Sequence, residues 1–267
     1  MSVELADLAL DAARAAAVLI RERAAAGVTV ASTKSSDVDI VTEADRASEE
    51  LIRERLRAAR PDDGFLGEEG VDETGASGVR WVIDPIDGTV NFLYGLGQHA
   101  VSIAAQRDGV TVAGVVLDVT AGTEYVAVRT QAGVVATRNG QSITVRDPAD
   151  LGQRLIATGF SYDREVRVVQ AQALTRLIPL IRDIRRFGSC ALDLCMVAAG
   201  ALDGYVEEGV NLWDYAAAVL IAEGAGGRWE LHPGAGGLDL LICAPRHGFD
   251  DFERAVIDCG FARAPGE

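Results

Sequence analysis

Leu5, Leu8, Ala12, Ala16 and Leu19 recur at three- and four-residue steps, which predicts an amphipathic helix over residues 3–26 that stops at Gly27. A second stripe, Ala47, Leu51, Ile52 and Leu56, predicts a helix over residues 44–59, and Pro61 lies beyond its end. The polar stretch between them, residues 34–42, reads as a loop or short extended piece leading to Asp45. From Val79 to Asn139 the period shortens to that of strands, in the runs RWVID, AVSIAAQ, TVAGVVLDV, TEYVAV and GVVAT. Asn139-Gly140 predicts a tight hairpin, and the region as a whole a largely antiparallel sheet. After Asp147-Pro148 the elements alternate: strand 155–158, helices 165–182 and 189–199, strand 204–207, helix 213–223, strands 227–231 and 240–243, and helix 249–259. The pattern predicts an α/β (α+β) protein, with an N-terminal part (1–147) and a C-terminal part (148–267) joined by a seam within one compact unit.

Composition sharpens this. The 267 residues are 49% hydrophobic and only 6% aromatic, so alanine, valine and leucine must fill the core, and a disordered chain is excluded. Forty acidic against twenty-five basic side chains give a net charge of -15, which opposes attraction to nucleic acid or to an anionic membrane surface. An anionic substrate would therefore need a cationic intermediary. Lys34 is the only lysine and follows Thr33, which excludes the Gly-Lys-Ser/Thr of a P-loop. Cys190, Cys195, Cys243 and Cys259 form no C-x-x-C pair, and His99, His232 and His247 stand in no ligand-like spacing with them, so a zinc site is not expected. The thiols read as buried apolar groups in a reducing compartment. The N-terminal segment lacks the basic and continuous apolar regions of a signal peptide, and no uncharged apolar run is long enough to span a membrane, so a cytoplasmic protein is expected.

The densest chemical signal is Trp81-Val82-Ile83-Asp84-Pro85-Ile86-Asp87-Gly88-Thr89-Val90-Asn91-Phe92. An apolar strand delivers Asp84, Pro85 is expected to turn the chain, and Asp84 and Asp87 can converge across that turn. Gly88 clears space beside the backbone, and the amides of Gly88 and Thr89 would open the next helix as a seat for an anion. Glu68 and Glu69 end another apolar step, and Asp214 starts an alanine-rich helix. Carboxylates gathered without cations repel one another, and so many hard oxygen donors suit magnesium or manganese.

These segments resemble the inositol monophosphatase family: W-x-x-D-P-x-D-G-T-x-N-F at 81–92, G-E-E at 67–69, D-x-V-T-x-x-D at 39–45 and W-D-x-A-A at 213–217, in family order. The resemblance implies an αβαβα layered sandwich of the inositol monophosphatase and fructose-1,6-bisphosphatase type, commonly a homodimer. It also implies a lithium-sensitive phosphomonoesterase using two to three magnesium ions. By similarity, Glu68, Asp84 and the Ile86 carbonyl would hold a first ion, Asp84, Asp87 and Asp214 a second, and a third would lie near Glu68. Thr89 and Asp45 would orient the attacking water and accept its proton, and the second ion would stabilise the leaving oxygen.

On the substrate side, residues 185–191 resemble the segment lining the family's sugar-alcohol pocket, with Ser189 and Cys190 as wall, and Glu207 of Asp203-Gly204-Tyr205-Val206-Glu207 would read ring hydroxyls. Asp87, Gly88 and Thr89 would face the phosphate. Two places depart from the family pattern, Gly224 after the W-D helix and Gly70 where serine is frequent. Gly95-Leu96-Gly97-Gln98-His99-Ala100 mimics a dinucleotide fingerprint, but a strand rather than a helix is expected after it. The leading expectation is hydrolysis of myo-inositol monophosphate. Fructose-1,6-bisphosphatase, histidinol-phosphate phosphatase and 3′-phosphoadenosine 5′-phosphate phosphatase activities are the alternatives on the same scaffold, and a non-catalytic metal-binding regulator is a remoter one. A nucleotide would need aromatic or basic groups at the pocket, and the sequence alone locates no such cluster.

Overall fold

In the computed structural model, which describes residues 1–27, 30–33 and 40–263, helices α1 (Ser2–Ala26) and α2 (Glu43–Ala59) stand where the apolar stripes put them. Of the polar stretch, residues 34–39 lie outside the described residues, and the rest forms β2 (Ile40–Thr42), paired antiparallel with β1 (Val30–Thr33). Thr42 and Asp45 close α2 with reciprocal hydrogen bonds, Thr42 N–H donating to Asp45 Oδ2 at 2.8 Å.

Seven strands follow one another across a sheet in chain order: β3 (Gly64–Gly67), β4 (Val79–Asp87), β5 (Ala100–Arg107), β6 (Val110–Asp118), β7 (Glu124–Thr130), β8 (Gly133–Arg138) and β9 (Gln141–Ser142). Only β3 and β4 run parallel. Asn139 (φ 51°) and Gly140 (φ 76°) take the left-handed conformations that a two-residue hairpin needs, as its sequence predicts. Asp108 (φ 49°) and Gly109 (φ 80°) repeat the device between β5 and β6.

The C-terminal elements are β10 (Leu155–Thr158), α4 (Arg164–Leu177), β11 (Asp183–Arg185), α5 (Cys190–Ala198), β12 (Gly204–Glu208), α6 (Leu212–Gly224), β13 (Gly227–Pro233), β14 (Asp239–Pro245) and α7 (Phe249–Asp258). They form a five-stranded sheet ordered β11-β10-β12-β14-β13, in which β10 is parallel to both β11 and β12.

Strand periodicity sorts the side chains into layers. Trp81, Ile83, Val101 and Ile103 pack with α1 and α2 on one face of the large sheet, and Val82, Ala100 and Ala104 pack with α5 and α6 on the other. Tyr205, Leu241 and Cys243 reach the same α5–α6 layer from the small sheet, whose opposite face turns Val206, Leu240 and Ile242 toward α4 and α7. The result is five layers, αβαβα. Small residues make the middle layer possible: a Cβ on Gly114 would lie 2.8 Å from the Ala217 carbonyl oxygen, and one on Gly224 would lie 2.9 Å from Ala136. Gly224, a departure from the family pattern, therefore lets the end of α6 approach β8.

Two expectations are corrected. The helix expected over 165–182 ends at Leu177, because Pro179 has no amide hydrogen to extend it; Ile178–Leu180 is a tight 3-10 turn and the chain then enters β11. Pro85 does not turn the chain. The register with β5 passes from Asp84↔Ser102 to Asp87↔Ala100, so one extra residue is absorbed as a bulge, a place where a strand tolerates proline. Among the described residues, no helix is long and apolar enough to cross a membrane.

Candidate active site

The parallel register of β3 with β4 sets Gly67 opposite Ile83, and Glu68 N–H then donates to the Ile83 carbonyl at 3.2 Å. Glu68 and Asp84 consequently leave neighbouring strands side by side. The bulge carries Asp87 toward the start of α5, where it accepts hydrogen bonds from the Ser189 hydroxyl (2.5 Å) and the amides of Cys190 (3.2 Å) and Ala191 (2.7 Å). Asp214 occupies the first turn of α6 and accepts from Asn211 N–H at 2.5 Å. Thr89 Oγ1 lies 3.0 Å from both Asp45 Oδ1 and the Ile86 carbonyl oxygen, so its single proton serves one of them at a time.

These groups converge on a cleft of about 470 Å³ lined by Glu68, Asp84, Ile86, Asp87, Gly88, Thr89, Cys190, Glu207 and Asp214, among others. Gly88 (φ 97°) is the left-handed residue before the short helix α3 (Thr89–Leu93), and a Cβ there would meet the Gln98 carbonyl at 2.7 Å. Asn91 fastens this turn to the other side of the cleft, donating to the carbonyls of Gln98 and Phe187 at 2.7 Å each.

The electrostatics are lopsided. Burial, then the charges of Glu68, Asp87 and Asp214, push the Asp84 carboxyl well above the usual carboxylate range. Asp214 is pushed well up by burial and by Glu68 and Asp87. Asp87 is raised to about 6 by burial, against the lowering effect of its three hydrogen bonds. Arg186 is the only arginine or lysine lining the cleft among the described residues.

Glu207 accepts from the Tyr205 hydroxyl at 2.6 Å; burial raises its carboxyl, while Tyr205 and Arg186 lower it. Gly159 makes room for it, since a Cβ there would fall 2.0 Å from Glu207 Oε2. Cys190 lines the cleft with its thiol pushed well up by burial and neighbouring acids, which suits packing and opposes a nucleophilic role. Ser189 is a correction to the expected pocket wall. It is 1% exposed, its hydroxyl lies between Asp87 and Leu192 N–H, and it does not line the cleft.

Sequence reasoning passed over Phe160, Ser161, Tyr162, Gly209 and Val210, and gave Arg186 no role of its own within the segment 185–191; all of them line the cleft. The aromatic and basic cluster that could not be located in the sequence is thus present as Phe160, Tyr162, Trp213 and Arg186. The available signal was positional: Phe160 follows β10, Arg186 follows β11 and Gly209 follows β12, at the carboxyl ends of the parallel strands of the small sheet. Residues 183–185 fall between the two expected helices, 165–182 and 189–199, and were read as no element.

The donor set fits hard divalent cations. Buried carboxylates that raise one another's pKa, beside a backbone carbonyl, match magnesium or manganese, and no histidine lines the cleft among the described residues. A second grouping, Glu230, His232 and Glu253, brings its ligand atoms within 4.8 Å of one another, but it belongs to β13 and α7 and none of its members lines the cleft. His99 is outside the chemistry: burial lowers its imidazole, and Nδ1 sits 3.1 Å from the Leu96 carbonyl.

Comparison with known proteins agrees with this geometry. Residues 1–241 match the model of the inositol monophosphatase family. The chain is 47% identical over 245 residues to an inositol-1-monophosphatase of Mycobacterium bovis, covering 89% of this chain and 84% of that protein. It is 42% identical over 224 residues to a Nus factor SuhB of Pasteurella multocida, covering 83% and 82%. The crystal structure of the extragenic suppressor protein suhB from Bartonella henselae superposes with a TM-score of 0.86 at 33% identity, over 95% of this chain and 98% of that one. With its layered α/β fold and its cleft of convergent carboxylates, the chain belongs to the inositol monophosphatase family, a family of phosphatases.

Proposed function

We propose that the protein is a magnesium-dependent, lithium-sensitive phosphomonoesterase that hydrolyses myo-inositol monophosphate to inositol and phosphate. The observation that carries this reading is the convergence of Glu68, Asp84, Asp87, Thr89 and Asp214 on the cleft that Glu207 also lines. Glu68, Asp84 and the Ile86 carbonyl would hold one ion, Asp84, Asp87 and Asp214 a second, and Glu68 would border a third. Bound there, magnesium supplies the positive charge that a phosphate dianion needs in so acidic a cleft and makes a water nucleophilic at neutral pH.

The chain's own groups do the rest. Thr89 Oγ1, held by Asp45 Oδ1 and the Ile86 carbonyl, is preset to accept a hydrogen bond from the attacking water and to relay its proton to Asp45. Attack in line on phosphorus then needs no phosphoenzyme. Gly88 leaves space for the phosphoryl oxygens, and Glu207, fixed by Tyr205, accepts from a ring hydroxyl of the alcohol. The reading treats the chain as one unit with a seam near residue 147, supported by a core layer that draws on Val82 and Ala136 as well as Ala157 and Cys243. The family resemblance extends it to a homodimer acting in the cytoplasm on a small phosphate ester, with neither nucleic acid nor membrane as partner.

A second reading rests on Arg186, Phe160 and Tyr162: a cation and aromatic rings at the cleft suit a second phosphate or a base, as in fructose 1,6-bisphosphate or 3′-phosphoadenosine 5′-phosphate. Phosphate release from these two, from inositol 1-phosphate and from histidinol phosphate, with and without magnesium and with lithium, separates the readings. Preference for inositol phosphate, lost without magnesium and suppressed by lithium, upholds the first; preference for a bisphosphate or a nucleotide moves the substrate to the second. Silence across the panel overturns both and leaves a non-catalytic role. Glu207→Gln is expected to lower turnover of inositol phosphate about tenfold more than that of a small generic phosphate ester, about what one hydrogen bond to a charged group contributes; equal losses would remove Glu207 from hydroxyl recognition.

A further inference from the structure

Glu49 is 2% exposed, belongs to none of the proposed ligand sets, and sits one turn beyond Asp45 on the same face of α2. One carboxylate oxygen, Oε2, accepts from Glu69 N–H at 2.8 Å, the amide directly after Glu68. The other, Oε1, accepts from Arg53 Nε at 2.7 Å. Arg53, itself 8% exposed, reaches on to the Val71 carbonyl (3.1 Å) and Glu73 Oε1 (3.0 Å). The base of the same loop is closed by paired backbone hydrogen bonds of 2.8 Å between Phe65 and Glu73.

The loop makes room for this carboxylate at two positions. A Cβ on Gly67 would fall 2.0 Å from Glu49 Oε1; one on Gly70 would fall 2.4 Å from Glu49 Oε1 and 2.6 Å from Arg53 Nη2. Glycine at 70, the second departure from the family pattern, is thus what the approach of the Glu49–Arg53 pair requires, since a side chain there would displace it.

We infer that Glu49, braced by Arg53, is a positioning residue for the metal centre: it fixes the loop that presents Glu68 to Asp84. Helix α2 then sets two parts of the site at once, Asp45 against Thr89 and Glu49 against the Glu68 loop, so the spacing between them is that of one helical turn. The inference rests on the proposed function only in taking Glu68 as a metal ligand. A carboxylate that holds a ligand's backbone acts as an outer support, and loss of such supports lowers metal affinity about 10- to 100-fold.

The test is Mn2+ binding to the full chain without substrate, followed by calorimetry and by the electron paramagnetic resonance signal of free Mn2+, with melting temperature measured in parallel. Glu49→Gln keeps the shape and an acceptor for Glu69 but loses the charge pair, and is expected to weaken Mn2+ about tenfold; Glu49→Ala is expected to weaken it more. Should Glu49→Ala fail to fold, Gly70→Ala decides the matter, because it keeps both charged partners, needs no left-handed backbone, and crowds the pair directly; the same direction of change is expected. Glu223→Gln, which breaks the Arg129–Glu223 pair, is expected to lower the melting temperature without moving Mn2+ affinity. Folded Glu49 or Gly70 variants that bind Mn2+ as tightly as the parent would overturn the inference and leave the metal reading standing. A parent chain that binds no Mn2+ would overturn that reading and this inference with it.

Discussion

In the cleft, Glu68, Asp84, Asp87 and Asp214 meet with one arginine beside them, whereas at the edge of the small sheet Glu230, Glu253 and Asp250 gather around Arg228 and His232. Two of the outer acids already share a counter-charge, Arg228 binding Glu230 and reaching Asp250 at 2.6 Å, and the third has a hydrogen-bond partner, His232 Nε2 lying 2.9 Å from Glu253 Oε1. Among the described residues, Asp84, Asp87 and Asp214 face mostly other acids, together with backbone amides and Ser189. On the proposed reading, what marks the cation site is burial of carboxylates with little compensating charge rather than density of acidic groups, because there a divalent ion would relieve their mutual repulsion.

The sharpest way to break the comparison is Asp87→Asn. Phosphate release is expected to fall at least about a thousandfold, the equivalent of roughly 4 kcal/mol of lost transition-state stabilisation. The structure adds a cost in stability, since both oxygens of Asp87 accept from donors and an amide nitrogen in the place of Oδ1 would face the Cys190 N–H and forfeit that hydrogen bond, about 1–3 kcal/mol. Near-normal turnover would show that the inner acids do not gather around an ion.

A smaller effect follows from the raised carboxyls. Asp87 stands at about 6 against an ordinary 3.8, so the folded, metal-free protein binds more protons than the unfolded chain, and this group's contribution to stability falls as pH rises through that interval. Magnesium should reverse the loss. Its stabilising effect on melting temperature is expected to be larger at pH 7.5 than at pH 5.5, and titration near pH 6 is expected to release protons. An increment independent of pH, or binding without proton release, would mean that the inner carboxylates are already ionised and compensated.

The smallest expected effect belongs to the outer cluster. His232→Ala is expected to cost about 0.5–1.5 kcal/mol of stability, as for one part-buried hydrogen bond, and to leave Mn2+ affinity and phosphate release unchanged. A lowered Mn2+ stoichiometry in that variant would erase the distinction between the two clusters.

Much of this was legible in the chain. The stripes of α1 and α2, the strand runs through 79–139 and the Asn139-Gly140 turn are local patterns that tertiary packing did not override. The cleft acids were legible through the motifs that carry them, and Glu68, Asp87 and Asp214 also stand at the ends of elements, where a strand or helix must hand its side chain over to the space between layers; Asp84 lies within β4. The misses have equally local causes. A single proline inside an otherwise helical run, Pro179, ends α4 before its pattern does, and β11 went unread because three residues are too few to show a strand period; another, Pro85, was read as a turn because a bulge depends on the partner strand, which sequence does not display. Ser189 was expected in the wall because residues 185–191 resemble the family's pocket-lining segment, whereas its hydroxyl is spent on Asp87. The Glu49 support joins residues that neither share a motif nor lie close in sequence, and only the register of β3 against β4, with α2 alongside, brings them together.

Asp45, Asp87 and Asp214 each hold a helix start, those of α2, α5 and α6 respectively. That shared duty sets an order of events in the life of the molecule. Because the amides at these helix starts are satisfied by the site's own carboxylates, the helices can lock into place while the cleft is still empty, and the donors are at their stations before any ion arrives. On the proposed reading, folding then need not wait for magnesium, and an arriving ion would have only to shed its tightly held water, with no rearrangement asked of the chain.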